Sequence, residues 1–140
     1  MTDLAMLLAE RACTRLMLEY CECVDIRQFE RLVSLFASDG VLNRPDTGEI
    51  KGRAAIKAFF DKLTTDPLIH VASNLLVAVT GPETAEATSY VTVYRSYRQN
   101  AAGLPKLEAP YAVAKYVDRF VVEGGEWKIG FRDTLFAAKE

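Results

Sequence analysis

The chain contains a single histidine, His70, in the stretch LIHVASN (residues 68–74), which otherwise alternates like a β-strand. An imidazole that acts as a general base gains from a carboxylate on its other ring nitrogen, because the carboxylate fixes the tautomer and stabilises the imidazolium. Asp25 is the candidate carboxylate, since it follows Tyr20 and Val24 on the apolar stripe of a predicted helix, where that helix turns into the next. The pair predicts proton abstraction from a bound small molecule.

Small and polar side chains share one face of several predicted strands, because residues two apart in a strand point the same way. Small residues beside a polar one leave a void rather than a packed layer, as a ligand cavity requires. On the second of these strands, periodicity does not decide which face looks inward. The sets are His70 with Ala72 and Asn74, then Val91 with Val93, Arg95 and Tyr97, and finally Ala112 with Ala114, Tyr116 and Asp118.

Each candidate residue also has a purely structural interpretation. Asp25 followed by Gln28 matches the acid-x-x-Gln pattern of a capping box for the second helix. A lone strand histidine such as His70 is often a satisfied core or edge residue. The tyrosines would ordinarily be core aromatics with an anchored hydroxyl, and Arg95 a solvated strand residue.

The hydrophobic period changes from about 3.6 residues to 2 after Pro67, so helices precede strands. Gly40 is expected to end the second helix in a left-handed turn, and Gly124-Gly125 to form a tight hairpin. We predict a single α+β domain over residues 1–140, a cone-shaped curved antiparallel sheet closed by three N-terminal helices, with a small-molecule pocket at its mouth. The predicted helices are 4–24, 27–37 and 53–63, and the predicted strands are 68–80, 85–99, 109–123 and 126–137, with a short strand at 40–43.

Composition excludes several classes of function. The net charge of −2 gives no basic field for nucleic acid or an anionic membrane. No run approaches the length of a membrane span and the charged, helical N-terminus is unlike a signal peptide, so we expect a cytoplasmic protein. Three cysteines crowd into one predicted helix, which favours reduced thiols, and Cys21-x-Cys23 lacks a second ligand pair for a metal.

Four segments in this order, YCECVDIRQFERLVSLFASDGVL, GEIKGRAAIKAFF, LIHVASNLLVAVTGPETAEATSYV and GGEWKI, resemble the SnoaL-like family of the nuclear-transport-factor-two-like superfamily. The resemblance covers nearly the whole chain and is nearest to the branch of scytalone dehydratase and hexachlorocyclohexane dehydrochlorinase. It implies an α+β cone with a deep pocket and a catalytic pair at Asp25 and His70. It also implies a homo-oligomer, a dimer or trimer, for which Val113, Val117 and Val121 could supply an apolar sheet face.

The sequence departs from this branch at positions that would contact the substrate. Val24 stands where scytalone dehydratase has a tyrosine, Tyr97 and Tyr116 where it has a histidine and an asparagine, and Tyr20 near a lysine of the dehydrochlorinase. The expected substrate-binding residues are Tyr20, Val24, Asn74, Arg95, Tyr97 and Tyr116.

Three hypotheses about function follow. The first is a lyase or dehydratase, independent of cofactor and metal, that acts on a small, fairly apolar cyclic substrate. The others are a non-catalytic binding module or dioxygenase small subunit, and a polyketide cyclase or isomerase.

Overall fold

Three helices pack on one face of a six-stranded mixed sheet in the computed structural model, which describes residues 1–140. The strands lie in the order β2-β1-β6-β5-β4-β3. The α+β prediction is confirmed, with a curved sheet that does not close into a barrel. The elements are α1 (Asp3–Asp25), α2 (Phe29–Ser34), β1 (Phe36–Arg44), β2 (Gly48–Lys51), α3 (Arg53–Asp61), β3 (Leu68–Gly81), β4 (Thr84–Arg95), β5 (Ala112–Glu123) and β6 (Glu126–Lys139).

The sheet is larger than predicted and is not purely antiparallel. β3 to β6 form the expected meander, but β1 pairs in parallel with β6 and is followed by β2, which the sequence did not indicate. The predicted second helix runs too far, because the backbone at Leu35 already joins the sheet by accepting from Ile129 N–H at 2.8 Å. β1 therefore begins at Phe36, well before the short strand expected at 40–43.

Gly40 does not end a helix, contrary to the prediction. It lies inside β1, where the pairing with β6 shifts register between Phe36 and Val41. A Cβ at this position would come within 2.9 Å of the Ala37 carbonyl oxygen, so only glycine fits this close approach. The hairpin prediction is confirmed, since Gly124 and Gly125 have φ of 60° and 78° between β5 and β6.

A β-bulge in β3 decides which residues accompany His70. The pairing with β4 shifts between Ser73 and Leu76, and Asn74 has a φ of 54°. An extra residue in one strand turns every later side chain to the other face. Leu75 therefore packs against the core on the same side as His70, whereas Asn74 is exposed; the predicted grouping of these residues is wrong beyond Ala72.

The core lies between the helices and the inner sheet face. Thr2 caps the start of α1, since its hydroxyl accepts from Ala5 N–H at 3.1 Å. The apolar stripe of α1, which is Cys13, Met17, Tyr20 and Val24, is buried against the inner sheet face. None of the helices combines the length and apolarity that a membrane span requires. The helices and the sheet converge at the end of α1, where the candidate site lies.

Candidate active site

The carboxylate of Asp25 contacts both the ring and the backbone of His70. Its Oδ1 lies 2.6 Å from His70 Nδ1. The backbone N–H of His70 also donates to this carboxylate, at 2.9 Å to Oδ2 and 3.1 Å to Oδ1. Asp25 is the last residue of α1 and His70 lies near the start of the edge strand β3. The contact therefore joins the helix end to the sheet edge, and the backbone bond holds the carboxylate in place independently of the ring.

A tight turn follows Asp25 at the end of α1. Arg27 adopts a φ of 57°, and the backbone N–H of Gln28 reaches back to the Cys23 carbonyl oxygen at 2.9 Å. Arg27 Nη1 donates to the Thr64 carbonyl oxygen at 2.7 Å, which ties the turn to the segment after α3. Gln28 is the N-cap of α2 and no side chain caps that helix. The helix-capping alternative for Asp25 is therefore wrong.

The hydrogen-bond pattern favours one tautomer of His70. A carboxylate beside Nδ1 stabilises the form whose proton sits on Nδ1, which leaves the lone pair on Nε2. The imidazole lines a cavity, and Nε2 has no hydrogen-bond partner within the protein. The side chain of His70 is 11% exposed and that of Asp25 is 18% exposed. The ring is thus shielded from bulk water while its free nitrogen remains available to a ligand.

The cavity beside His70 has a volume of about 300 Å³ and is enclosed by α1, α3 and the inner sheet face. Its walls are largely apolar and include Phe59 and Phe60 from α3, Val91 and Val93 from β4, and Phe136 from β6. Such a volume suits a small cyclic molecule, and apolar walls with a few polar groups are typical of ligand pockets.

Two tyrosines present hydroxyls to this cavity. Tyr20 and Tyr116 line it, and neither hydroxyl makes a hydrogen bond within the protein. Burial raises the pKa of Tyr20 to about 12 and raises that of Tyr116 well above its ordinary value. Both hydroxyls therefore stay protonated at neutral pH and can donate to a ligand oxygen or halogen.

A fully buried ion pair between Arg132 and Asp118, called the sealed pair below, packs against the rings of both tyrosines. Arg132 Nε and Nη2 donate to Asp118 at 2.7 and 2.8 Å, and neither side chain is exposed. The guanidinium carbon lies 3.9 Å from the ring centroid of Tyr116 and 4.3 Å from that of Tyr20. Burial alone would lower the pKa of Arg132, but the Asp118 carboxylate more than reverses this, so the guanidinium stays charged. Its Nη1 is buried without a partner, as is the hydroxyl of Thr134 in the cavity wall.

Comparison with known proteins identifies the family. The model of the SnoaL-like domain matches residues 5–133. The chain belongs to the SnoaL-like domain family. No curated protein matches it.

Solved structures similar to this SnoaL-like domain share its fold. A putative scytalone dehydratase from Novosphingobium aromaticivorans DSM 12444 is 24% identical, with a TM-score of 0.81 over 99% of this chain and 89% of that one. The hexachlorocyclohexane dehydrochlorinase LinA-type3 from Novosphingobium barchaimii LL02 is 19% identical, with a TM-score of 0.82 over 98% and 92%. An NTF2-like protein with a cystatin-like fold, also from N. aromaticivorans, is 25% identical, with a TM-score of 0.81 over 96% and 86%.

The SnoaL-like domain brings most of the expected site residues together. Tyr20, Val24, Arg95 and Tyr116 all line the cavity with His70. Arg95 is not free, since its Nε donates to Asp66 at 2.9 Å.

Two expected substrate-binding residues lie outside the cavity. Asn74 is exposed at the bulge of β3. Tyr97 follows the end of β4, where the strand alternation no longer applies; its hydroxyl donates to Glu140 at 2.8 Å and its ring stacks on Arg95. The prediction that these two residues contact the substrate is not supported by their positions.

Sequence reasoning missed Arg132 as the partner of Asp118. Counting residues outward from the Gly124-Gly125 turn pairs Asp118 with Phe131, but a register shift beside Arg119 brings Arg132 opposite instead. The available signal was Asp118 itself, an acid on a small, inward face that requires a cation once it is buried. No group of three or more histidine, cysteine or acidic side chains converges to hold a metal ion.

Proposed function

We propose that this SnoaL-like domain is a cofactor-free lyase in which Asp25 orients His70 and His70 removes a proton from carbon in a small cyclic substrate. The observation that carries this proposal is the 2.6 Å contact between Asp25 Oδ1 and His70 Nδ1 at the wall of a mostly apolar cavity. A carboxylate on one ring nitrogen, a free Nε2 on the other and a cavity beside it are the parts that general-base catalysis requires.

The elimination balances without any further reagent. Nε2 takes the proton, the electrons of the broken C–H bond form a carbon–carbon double bond, and the leaving group departs from the neighbouring carbon with its bonding electrons. In a dehydration, the leaving hydroxide takes up the proton and becomes water. The hydroxyls of Tyr20 and Tyr116 are placed to donate hydrogen bonds to the departing atom or to an activating carbonyl oxygen. A positioned general base supplies about 10²- to 10⁴-fold, and donors at developing charge often supply more.

The other two hypotheses are weighed by the same geometry. If the domain were a purely non-catalytic module, side chains would be expected to fill the pocket or Asp25 and His70 to point apart. Here the two side chains are in contact beside a cavity. An isomerase or polyketide cyclase would use the same pair, and only its products distinguish it from a lyase.

The test uses the single histidine. Cyclic ketones, hydroxyketones and halogenated cyclohexanes are incubated with the protein in D₂O, and loss of water or halide or gain of deuterium is followed by NMR and mass spectrometry. We expect His70→Asn to lower the rate on any active compound by at least about 10²-fold. The variant keeps the backbone N–H that bonds Asp25, so its unfolding midpoint should change little. Tyr97→Phe, outside the cavity, is the control; unchanged turnover in His70→Asn would refute the proposal.

The homo-oligomer stays a prediction. The outer face of the sheet exposes apolar side chains that a second copy could cover, including Ile69 at 59% and Leu76 at 71% exposure. Sedimentation velocity measures the assembly directly, and a monomer at micromolar concentration would contradict this expectation.

A further inference from the structure

The open end of the cavity carries an excess of positive charge. Four basic residues, Arg44, Lys62, Arg95 and Lys139, belong to its lining, against one acidic residue, Asp46. The chain as a whole is acidic, with 19 acidic and 17 basic residues. Bases are therefore concentrated around the very cavity that the proposed function uses.

Two of these four cations are neutralised by carboxylates. Arg44 donates from Nε and Nη2 to Asp46 at 2.9 and 3.0 Å, and it lies against the rings of Phe59 and Phe136. Arg95 is paired with Asp66 at 2.8 Å. Both arginines are thus held as parts of the wall.

The two lysines form no ion pair. Lys62 follows the last turn of α3 and Lys139 ends β6, and both are exposed, which places them at the mouth. The Nζ of Lys139 lies 5.1 Å from the ring centroid of Phe136 and 5.6 Å from that of Tyr111, and its charge also acts on the Asp46 carboxylate. The carboxylates of neighbouring elements are engaged elsewhere: Asp46 binds Arg44, Asp61 pairs with Lys57, and Glu140 accepts from the Tyr97 hydroxyl. Two ammonium groups therefore remain available to a ligand.

We propose that the substrate carries a carboxylate on an apolar cyclic skeleton, and that Lys62 and Lys139 hold this carboxylate at the mouth. Low-dielectric walls focus the field of charges around a cleft, so an organic anion is attracted where a neutral molecule gains nothing. At the inner end, the Asp25 carboxylate would repel an anion. The substrate therefore enters with its charge outward and its acidic C–H toward Nε2. This inference rests on the proposed function and adds the substrate's charge and orientation.

The test compares two probes of nearly the same shape, one anionic and one neutral. Binding of 2-naphthoate and 2-naphthamide is measured by isothermal titration calorimetry in low-salt buffer, with benzoate and benzamide as a smaller pair. We expect each carboxylate to bind about tenfold more tightly than its amide, since two partly exposed ion pairs contribute about this much. This preference should shrink as salt is raised.

A matched pair of double variants locates the anion. Lys62→Gln with Lys139→Gln should weaken naphthoate binding about tenfold and change naphthamide binding less than about twofold. Lys106→Gln with Lys115→Gln removes the same charge from two lysines that neither form ion pairs nor line the cavity, and should leave both affinities unchanged. Equal losses in the two double variants, equal affinity for acid and amide, or no saturable carboxylate binding would each overturn the proposal.

Failure here is distinguishable from failure of the proposed chemistry. His70→Asn should retain the preference for the carboxylate, because the lysines act at the other end of the cavity. A protein that binds acid and amide equally but loses turnover in His70→Asn would keep the lyase and lose the anionic substrate. A protein that keeps its preference for the carboxylate, but whose turnover is unchanged in His70→Asn, would lose the lyase mechanism and keep the anionic ligand.

Discussion

Two carboxylates in this SnoaL-like domain pair with bases, and their surroundings give them different roles. Asp25 meets His70 at the cavity wall, where both side chains keep some exposure and the imidazole retains a free nitrogen. Asp118 meets Arg132 in full burial through two parallel hydrogen bonds, and the guanidinium stays charged. In the proposed mechanism the first pair exchanges a proton with a ligand. The second pair cannot, but it stacks under Tyr20 and Tyr116 and keeps their rings in place.

The comparison separates the pair to which we assign the chemistry from the pair that positions neighbouring side chains. Histidine is the side chain whose ordinary titration range lies near neutrality, whereas arginine stays protonated in proteins. A carboxylate beside histidine therefore tunes a base, and a carboxylate beside a buried arginine satisfies a charge that would otherwise be very costly to bury. Altering Asp118 should therefore mainly lower stability, whereas altering Asp25 should mainly lower activity.

The largest expected effect comes from breaking the sealed pair. Asp118→Asn leaves a buried guanidinium without its counter-charge, and we expect a loss of about 3–5 kcal/mol in the free energy of unfolding. Urea denaturation measures it. Asp66→Asn removes a carboxylate from Arg95 at the partly exposed mouth and should cost about 0–1 kcal/mol. Equal losses in the two variants would show that burial does not distinguish these ion pairs.

A second variant tests the pair of Asp25 and His70, the cavity pair, and should change activity more than stability. In Asp25→Asn the amide oxygen can still accept from His70 N–H, but the amide group now donates toward the ring and favours the proton on Nε2. Stability should fall by about 1–2 kcal/mol, since a charged hydrogen bond becomes a neutral one. Turnover should fall about 10²- to 10⁴-fold.

¹⁵N NMR measures directly which ring nitrogen of His70 carries the proton. Because His70 is the only histidine, its ring ¹⁵N signals need no assignment between residues. In the neutral ring of the unaltered protein we expect the proton on Nδ1, and in Asp25→Asn a shift toward Nε2. An unchanged tautomer together with lost activity would mean that Asp25 acts by its charge and not by orienting the ring.

The sequence predicts which residues meet at the site better than it predicts the bounds of the helices and strands. Helical and strand periodicity place α1, α3 and β3 to β6, and the family resemblance points to Asp25 and His70. The bulge at Asn74 and the register shift beside Arg119 are local backbone events that leave no periodic signal, and they decide that Asn74 leaves the cavity and that Arg132 enters the core.

Pairing between distant segments is equally hard to foresee. The parallel contact of β1 with β6 joins residues about 90 positions apart, and nothing in either segment alone indicates it. Nothing in the sequence distinguishes Lys62 and Lys139 from other polar residues at the ends of helices and strands. Only the folded chain shows that both line one cavity.

The smallest expected effect concerns two thiols and a tyrosine hydroxyl on the buried face of α1. Burial raises the pKa of Cys13 to about 12, where Asp118 adds to the shift, and that of Cys21 to about 11 despite the nearby Arg132. Tyr20 is raised to about 12. In the unfolded chain these groups ionise at their lower, ordinary pKa values, so above about pH 9 the unfolded state releases protons that the folded state still holds. Their contribution to stability is therefore complete below pH 8 and declines between about pH 9 and 12.

Urea denaturation at a series of pH values measures this slope. We expect the free energy of unfolding to fall steadily from pH 8.5 to 10.5, and to fall less steeply in a Cys13→Ala, Cys21→Ala double variant, whatever that variant's absolute stability. Cys23→Ala is a weaker control, since the pKa of Cys23 is also raised by burial. A flat profile in the unaltered protein would mean that water reaches the buried face of α1. The sealed pair would then differ from the cavity pair less than their exposures indicate.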